Sequence, residues 1–409
     1  MSNVNMVEIC AIMNMPSHCM NRDEAGQPKE SEFNGIPRAA VSSQSQKYAM
    51  RKAEAFDGLA ENIGVSLRTR ELFSEIVKEC NVTDDDMILC IQRLCDELGK
   101  STSKSNNIDY DKNTGTFDFS KVEADMKKEK RARSIPTGKK EDRKDQIMII
   151  TPVQKESLIA IFKKFIDACD GDAEKFAYFT NKNVFDLIDK KKKLYTVSLD
   201  TALFGSMTAS ELSSDVPASM HVARMISTNA LVREDDYYSA MDDIVLEGTT
   251  QTAANLGYLP YNSSCMYKYG VIDLDIFKEN LKGVENVDEV VKAIIPEIVR
   301  IFINTISKGK IASNANYVMP QSVIVTMKNK KVALNPVEAF ALPVKPSMNT
   351  ILAEESTKKL VEEIDCMDRM YNIEVEKRYV MNKYGIEGPK GSEMVSDENT
   401  LIEKIRSEL

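Results

Sequence analysis

Between Phe56 and Lys193 the chain reads as helix, and on either side of that block it reads as strand. Leu67–Cys80, Thr83–Leu98 with Thr83 as N-cap, Thr151–Cys169 and Asp172–Leu187 each carry apolar residues at 3.6-residue spacing. Met6–Met13 is rich in apolar residues and reads as a buried strand that Pro16 ends. Tyr195–Met207, Cys265–Asp275 and Asn316–Lys328 have strand character, and Val287–Lys308 reads as helix. The order is strand, helix, helical insertion, strand, helix, arm, strand, helix, strand. That order predicts an α+β fold: a βαββαβ-type sheet with helices on one face, interrupted by two inserts.

Composition narrows the function classes. With 409 residues, 43% of them hydrophobic, the chain can fill two or three domains or one core with large insertions. No apolar run is long enough to span a bilayer, and the N-terminus lacks the regions of a signal peptide, so a cytoplasmic protein with no membrane partner is expected. Eight Cys without CxxC pairs read as reduced core thiols. Only His18 and His221 are present, which argues against a His-based metal site or a Ser-His-Asp triad. No Walker A loop and no GxGxxG occurs. No cofactor and no metal is expected. The net charge of -9 argues against a protein that coats itself in nucleic acid, but not against a local basic groove.

Such a groove is written in Asn34–Lys52, which carries Arg38, Lys47, Arg51 and Lys52 and no acid. Ser43-x-x-Gln46 reads as a capping box, so a helix is expected to begin there. Its first N–H groups, with the Ser42 and Ser45 hydroxyls, would make an anion site. Gln44, Lys47 and Arg51 follow at helical spacing and share a face, with Ala49, Ala53, Phe56, Ala60 and Ile63 opposite as the buried stripe. Phosphate is the ligand this face fits, and a nucleic-acid backbone is its commonest polymeric form. A helix start with Ser caps and exposed cations is also an ordinary solvated face.

The remaining segments are less pointed. His18–Pro37, with Arg22, reads as a loop, and Gly99–Gly115 as another. Lys121–Lys144, with ten basic and five acidic residues, reads as a solvated run or a contact to DNA. Asp215–Asn229 looks helical; Leu231–Ser264 is irregular, with a short helix expected over Asp235–Leu246. Tyr267 and Tyr269 share one face of their strand, where they either stack bases or pack under a helix, and Lys268 points the other way. Asn335–Phe340 begins a short helix, Ser356–Tyr384 is a charged amphipathic helix, and Gly385–Leu409 ends in a helix read as peripheral. Asp235, Asp236, Asp242 and Asp243 could bind Mg²⁺, but no fixed spacing orders them.

Three groups of residues carry a family resemblance. Asn21-Arg22-Asp23 is followed by F-N-G-I-P-R and by S-S-Q-S-x-K-x-A-x-R over Ser42–Arg51; D-x-A-L-F-G-x-M ends at Met207; Cys265–Asp275 and the A-S-N-A-N-Y before Val318 agree. This ordered set resembles the type I-E CRISPR Cascade backbone subunit, the CasC family within the Cas-seven superfamily of RNA-binding repeat-associated proteins.

The resemblance implies a ferredoxin-like, RRM-like palm from residues 1–55, 195–230 and 265–345, helical fingers over 56–194, a β-hairpin-like thumb over 231–264 and a C-terminal helical extension over 346–409. It implies a non-enzymatic subunit that binds guide RNA (crRNA) along its backbone and polymerises head to tail. Target DNA pairs with the guide, and the large, small and guide 5′-end and 3′-end binding subunits complete the assembly. The RNA-binding residues it points to are Asn21, Arg22, Ser42, Gln44, Lys47, Arg51 and Met207, the last as a wedge against bases. Ser206, Ala40 and Tyr48 stand where relatives are frequently basic. Two other readings stay open at this point: a type III-like, Mg²⁺-dependent subunit that cuts target RNA with Asp23, and a protein-only scaffold.

Overall fold

The computed structural model describes residues 4–61, 63–98, 108–127, 147–188, 197–207, 215–240 and 254–409. The chain divides into two compact units, one of residues 1–59, 219–279 and 284–409, the other of 60–218 with 280–283. In chain order the strands of the first unit are β1 Met6–His18, β2 Glu30–Phe33 and β3 Ile36–Val41; those of the second are β4 Leu67–Thr69, β5 Asp109–Asp111, β6 Thr116–Asp118 and β7 Met148–Ile150. The first unit then resumes with β8 Met220–Val222, β9 Met225–Ser227, β10 Arg233–Ala240, β11 Ala254–Asp273, β12 Ser322–Lys328, β13 Lys377–Asn382 and β14 Glu393–Met394.

The first unit is built on one sheet in the order β14-β13-β12-β1-β11-β9-β3-β2, with β8 and β10 also paired to β11. β1 lies antiparallel between β11 and β12; Cys10, for example, faces Tyr269 on one side and Ile324 on the other. Counting β8 and β9 as one interrupted strand, the middle of the sheet runs last, first, third, second along the chain. That is the arrangement a βαββαβ unit gives, and the α+β fold expected from the sequence is the fold found.

Several local expectations are corrected. β1 runs through Pro16 to His18. β12 leaves it after Ile12, and a register shift between Met15 and His18 places Pro16 at a bulge, where a missing N–H costs no ladder bond. The loop read over His18–Pro37 contains β2 and the start of β3, a hairpin turned by Asn34 and Gly35, both at positive φ. Two successive positive-φ residues make the tight turn whose twist matches that of the strands.

Asp215–Asn229 forms β8 and β9 in place of a helix, because Met220 and Val222 are buried and His221 is exposed, a period of two. The short helix expected at Asp235–Leu246 is strand as far as Ala240; Arg233–Ala240 pairs with the first half of β11 as an antiparallel arm, and its tip lies outside the described residues.

The sheet is covered on both faces, not one. Tyr267 and Tyr269 are buried with Cys10, Phe340, Leu360 and Ile364, under the helix Leu352–Tyr371. Their hydroxyls are used there: Tyr267 donates to Asn335 Oδ1 at 2.8 Å and Tyr269 to Glu8 Oε1 at 2.9 Å. Glu8 also holds Lys328 in a buried ion pair at 2.5 Å.

On the other face Lys268 is buried, its ammonium donating to the carbonyls of Phe302 and, at 2.8 Å, of Thr305. These close the C-terminal end of the helix Val287–Asn304, the negative end of its dipole. Gly385–Leu409 is integral and not peripheral: β14 pairs with β13 at the edge of the sheet, and Leu401, Ile402 and Ile405 of the final helix Glu398–Glu408 are fully buried.

Arg38 is the largest fully buried side chain in the first unit. Its guanidinium donates to the carbonyls of Ser227 (3.1 Å), Thr228 (2.8 Å), Asn229 (3.3 Å), Phe340 (2.7 Å) and Ala341 (3.3 Å). It ties β3 to the exit of β9 and to the segment before the Leu352–Tyr371 helix.

The second unit is mainly helical, with its own core. Phe165 and Phe179 stack at 3.9 Å, and Phe117 meets both edge-on. Leu67–Cys80 splits into β4 and the helix Leu72–Glu79, and β4 pairs with β7. Asp84, not Thr83, caps the helix Asp85–Leu98 through Met87 N–H. Thr151 caps Pro152–Ala168 in a capping box with Gln154. Asp172–Leu187 is two short helices, Ala173–Phe176 and Asn181–Leu187. The loop read over Gly99–Gly115 lies outside the described residues up to 107 and then enters the β5–β6 hairpin; of the charged run only Lys121–Lys127, in a helix, is described.

Two outcomes follow. Arg38→Met strands several buried carbonyls and is expected to destabilise the fold by on the order of 3 kcal/mol, read as a lowered urea midpoint; an unchanged midpoint would show that the five bonds contribute nothing net. Burial pushes the Lys268 ammonium down to about 7, whereas an unfolded lysine holds its proton to about pH 10.4. Above about pH 7 the unfolded chain therefore binds more protons at this site, and stability from it rises with pH. The stability of the protein minus that of Lys268→Met is expected to rise from pH 7 to about pH 10; parallel curves would refute the shift.

Candidate nucleic-acid interface

The stretch Asn34–Lys52 delivers a helix, α1 Ser43–Arg51, but its cap is Ser42. Ser42 Oγ accepts the Ser45 N–H at 3.3 Å, so Ser43 is the first helical residue and not the cap. Gln46, expected to reach back to the cap, is buried and donates to the Ala223 carbonyl at 2.9 Å. No acid lies in the first turn. Asn21 sits behind this start: its Oδ1 accepts the Ser42 N–H at 3.0 Å, fixing the 18–23 loop to the helix.

The predicted residues therefore divide by role. Asn21 and Ser42 spend their side-chain oxygens on building the helix start. Gln44 is exposed, Lys47 half-buried and Arg22 exposed. Arg51 is buried, with 8% of its surface accessible, although it lies on the arc of α1 shared with Gln44 and Tyr48. Helical spacing places a residue on a face but does not say what covers that face. The exposed positions of that arc are Gln44, Tyr48 and Lys52. Of the expected buried stripe, Phe56 and Ala60 are buried, while Ala49, Ala53 and Ile63 are half-buried.

Met207 belongs to the second unit and is 85% exposed. Its motif is built to present it. The segment expected as strand is the helix Leu199–Phe204, and Asp200 within it is fully buried, accepting from Ser66 N–H at 2.8 Å, Ser66 Oγ at 2.6 Å and Ser198 Oγ at 2.8 Å. Gly205 follows at φ 76°, and a Cβ there would lie 2.9 Å from the Val216 carbonyl oxygen and the Ala218 nitrogen. Only glycine fits both the angle and the space, and the chain then bridges Ser206 to Val216.

The fold brings a third segment, residues 305–317, to α1; the sequence offered its A-S-N-A-N-Y only as part of the resemblance and no binding residue in it. Ser45 Oγ donates to Ser307 Oγ at 2.9 Å, Gly309 N–H to the Met20 carbonyl at 3.2 Å, and the Asn314 and Asn316 amides to the Ser17 carbonyl at 3.0 and 3.2 Å. Lys308 is exposed, and Lys310 and Arg22 both lie close enough to favour the Cys19 thiolate, against the upward push of burial. Arg22, Lys47, Lys52, Lys308 and Lys310 thus arise from three segments joined by hydrogen bonds. The one signal available was the pair Lys308-Gly309-Lys310 at a helix exit, which reads alone as an ordinary C-terminal charge. Asp23 is exposed, and its carboxylate accepts the Gln27 N–H at 2.9 Å. Among the described residues no three His, Cys, Asp or Glu gather as a metal site, and no helix is long and apolar enough to cross a membrane.

Residues 7–407 match the family model described as CT1975-like protein. The chain belongs to the CT1975-like protein family. The fold of this CT1975-like protein is similar to that of a chain from a pre-nicking CRISPR RNA-guided surveillance complex, with a TM-score of 0.74 at 19% identity over 98% of this chain and 99% of that one. A chain from another CRISPR RNA-guided surveillance complex gives a TM-score of 0.65 at 18% identity, over 99% and 100%. No curated protein matches the sequence.

The burial pattern separates folding from binding at α1. Arg51→Ala is expected to lower the melting temperature by several degrees, and Gln44→Ala to leave it within about a degree, since exposed substitutions rarely exceed about 0.5 kcal/mol. Equal melting temperatures for the two variants would return Arg51 to the open face.

Proposed function

We propose that this CT1975-like protein is the backbone subunit of a type I-E CRISPR surveillance complex. It binds guide RNA along the sugar-phosphate backbone and repeats head to tail, so that the guide is offered for pairing with target DNA. The observation that carries this reading is a set of cations on three hydrogen-bonded segments in a chain of net charge -9: Arg22 on the 18–23 loop, Lys47 in α1 and Lys52 at its C-terminal end, and Lys308 and Lys310 on the 305–317 segment. Family membership over nearly the whole chain and the shared fold support it.

Cations spaced along a rim neutralise phosphates without reading bases. Sequence is then read by the guide, as in other RNA-guided effectors. The exposed Met207 is the wedge that parts neighbouring bases, and the β10–β11 arm reaches the RNA on the next copy. A head-to-tail contact that does not close gives a helical filament. Large, small and guide-end subunits complete the assembly in a prokaryotic cytoplasm. The chain acts without catalysis in this reading, with no metal or cofactor.

Expressed with a CRISPR transcript and its processing partners, the protein is expected to purify with a discrete RNA of uniform length in a high-mass assembly. Arg22→Glu with Lys47→Glu and Lys310→Glu should lower RNA retention more than tenfold and flatten its salt dependence, with unchanged circular dichroism. An RNA-free monomer under conditions where the partners assemble would refute the proposal. Mg²⁺-dependent cutting of complementary RNA, lost on Asp23→Ala, would replace it with a type III-like function.

A further inference from the structure

The 305–317 segment rests on an unusual floor. Ile306 and Val318 pack against Met13, Met15, Met20 and Met266, the sulfur-rich patch on that face of the sheet. Further along the same face the floor turns polar. Asn262 and Ser264 alternate onto it with Met266, and His18 is the cross-strand partner of Asn262. Asn316 comes down from the segment itself, its amide nitrogen bonded to the Ser17 carbonyl.

All four side chains are buried, each with 2% of its surface accessible. Yet both ring nitrogens of His18, Asn262 Oδ1, Ser264 Oγ and Asn316 Oδ1 have no hydrogen-bond partner among the described residues. Burial pushes the His18 imidazolium down to about 4, so the ring is neutral near pH 7 and carries one N–H and one lone pair.

A count of hydrogens says what is missing. The unpartnered atoms offer two, the His18 N–H and the Ser264 O–H, against four acceptors: the other His18 nitrogen, the two amide oxygens and the Ser264 oxygen. As the side chains stand, these two hydrogens cannot serve all four acceptors. A buried amide oxygen or imidazole left bare is destabilising. Water brings two hydrogens and two lone pairs, and a buried water commonly makes about three bonds.

We propose that His18, Asn262, Ser264 and Asn316 line a buried water site. About one or two ordered waters fasten the 305–317 segment to the end of β1 and to the root of the β10–β11 arm. The segment that carries Lys308 and Lys310 is thereby held from below through solvent. The inference rests on side-chain chemistry and not on the RNA-binding reading, and it stands or falls separately.

A crystal structure of the full chain, at a resolution that shows ordered solvent, tests it directly. A water within hydrogen-bond distance of His18 and at least two of the other three side chains is expected. Direct bonds among the four side chains with no solvent between them would overturn the site. An unfolding cycle in urea gives a second reading. His18→Leu and Asn316→Leu are each expected to raise the unfolding constant about tenfold. The pair should fall well short of the hundredfold product, because both losses act on one shared water. A double variant that reaches the product would overturn the shared site even if each residue matters alone.

Discussion

The guanidinium of Arg38 is the constraint on which the first unit depends. Five carbonyls from two distant segments point at one buried cation. Buried backbone groups must find partners, and here one side chain supplies them. Its neighbours extend the same junction: Thr228 N–H donates to the Cys265 carbonyl, the Thr228 carbonyl accepts from Val344, and Thr228 Oγ1 accepts from Ser356 at the start of a helix. Burial lowers the Arg38 pKa, and the ring of carbonyl dipoles is what holds the charge inside. The β3 strand, the exit of β9 and the entry to the Leu352–Tyr371 helix are therefore set together.

Arg38 also marks the limit of what the sequence could say. It stood beside Lys47, Arg51 and Lys52 as one of four cations in an acid-free stretch, and its neighbours did not distinguish the structural cation from the exposed ones. Period was legible where a single period ruled: β11 around Tyr267, β12 and the Val287–Asn304 helix lie close to their expected places. Period failed where a short alternation hid in an apolar segment, as at Met220–Val222, or where a Ser-led helix passed for strand, as at Leu199–Phe204. The Asn34-Gly35 turn was written plainly, but Pro37 and the surrounding polar residues drew attention away from it.

At the candidate site the helix expected from the sequence is present, with Ser42 in place of Ser43 as its cap. Asn21 and Ser42 matter locally because they make the helix start, a role no spacing rule separates from ligand contact. The joining of residues 305–317 to that start is a tertiary fact. It rests on single bonds such as Ser45 to Ser307, across more than 250 positions of chain, and no local pattern encodes such a partner.

The same topology has a cost in assembly. β1 begins at residue 6, but its partners β11 and β12 lie past residue 253. The second unit is nearly contiguous and rich in helices, so its contacts are local and close early. The central strand of the sheet waits for more than half of the chain to be made.

The burial of Tyr267 and Tyr269 has a further consequence. Sheets of this connectivity often meet nucleic acid on their broad flat side, with aromatic rings as the platform. Here that side is roofed by a helix, and the reverse side is floored by another. Among the described residues, the perimeter of the sheet is what those two helices leave uncovered. Under the proposed function, a strand gripped along that perimeter would be touched from one direction, leaving its bases turned outward for a complementary strand.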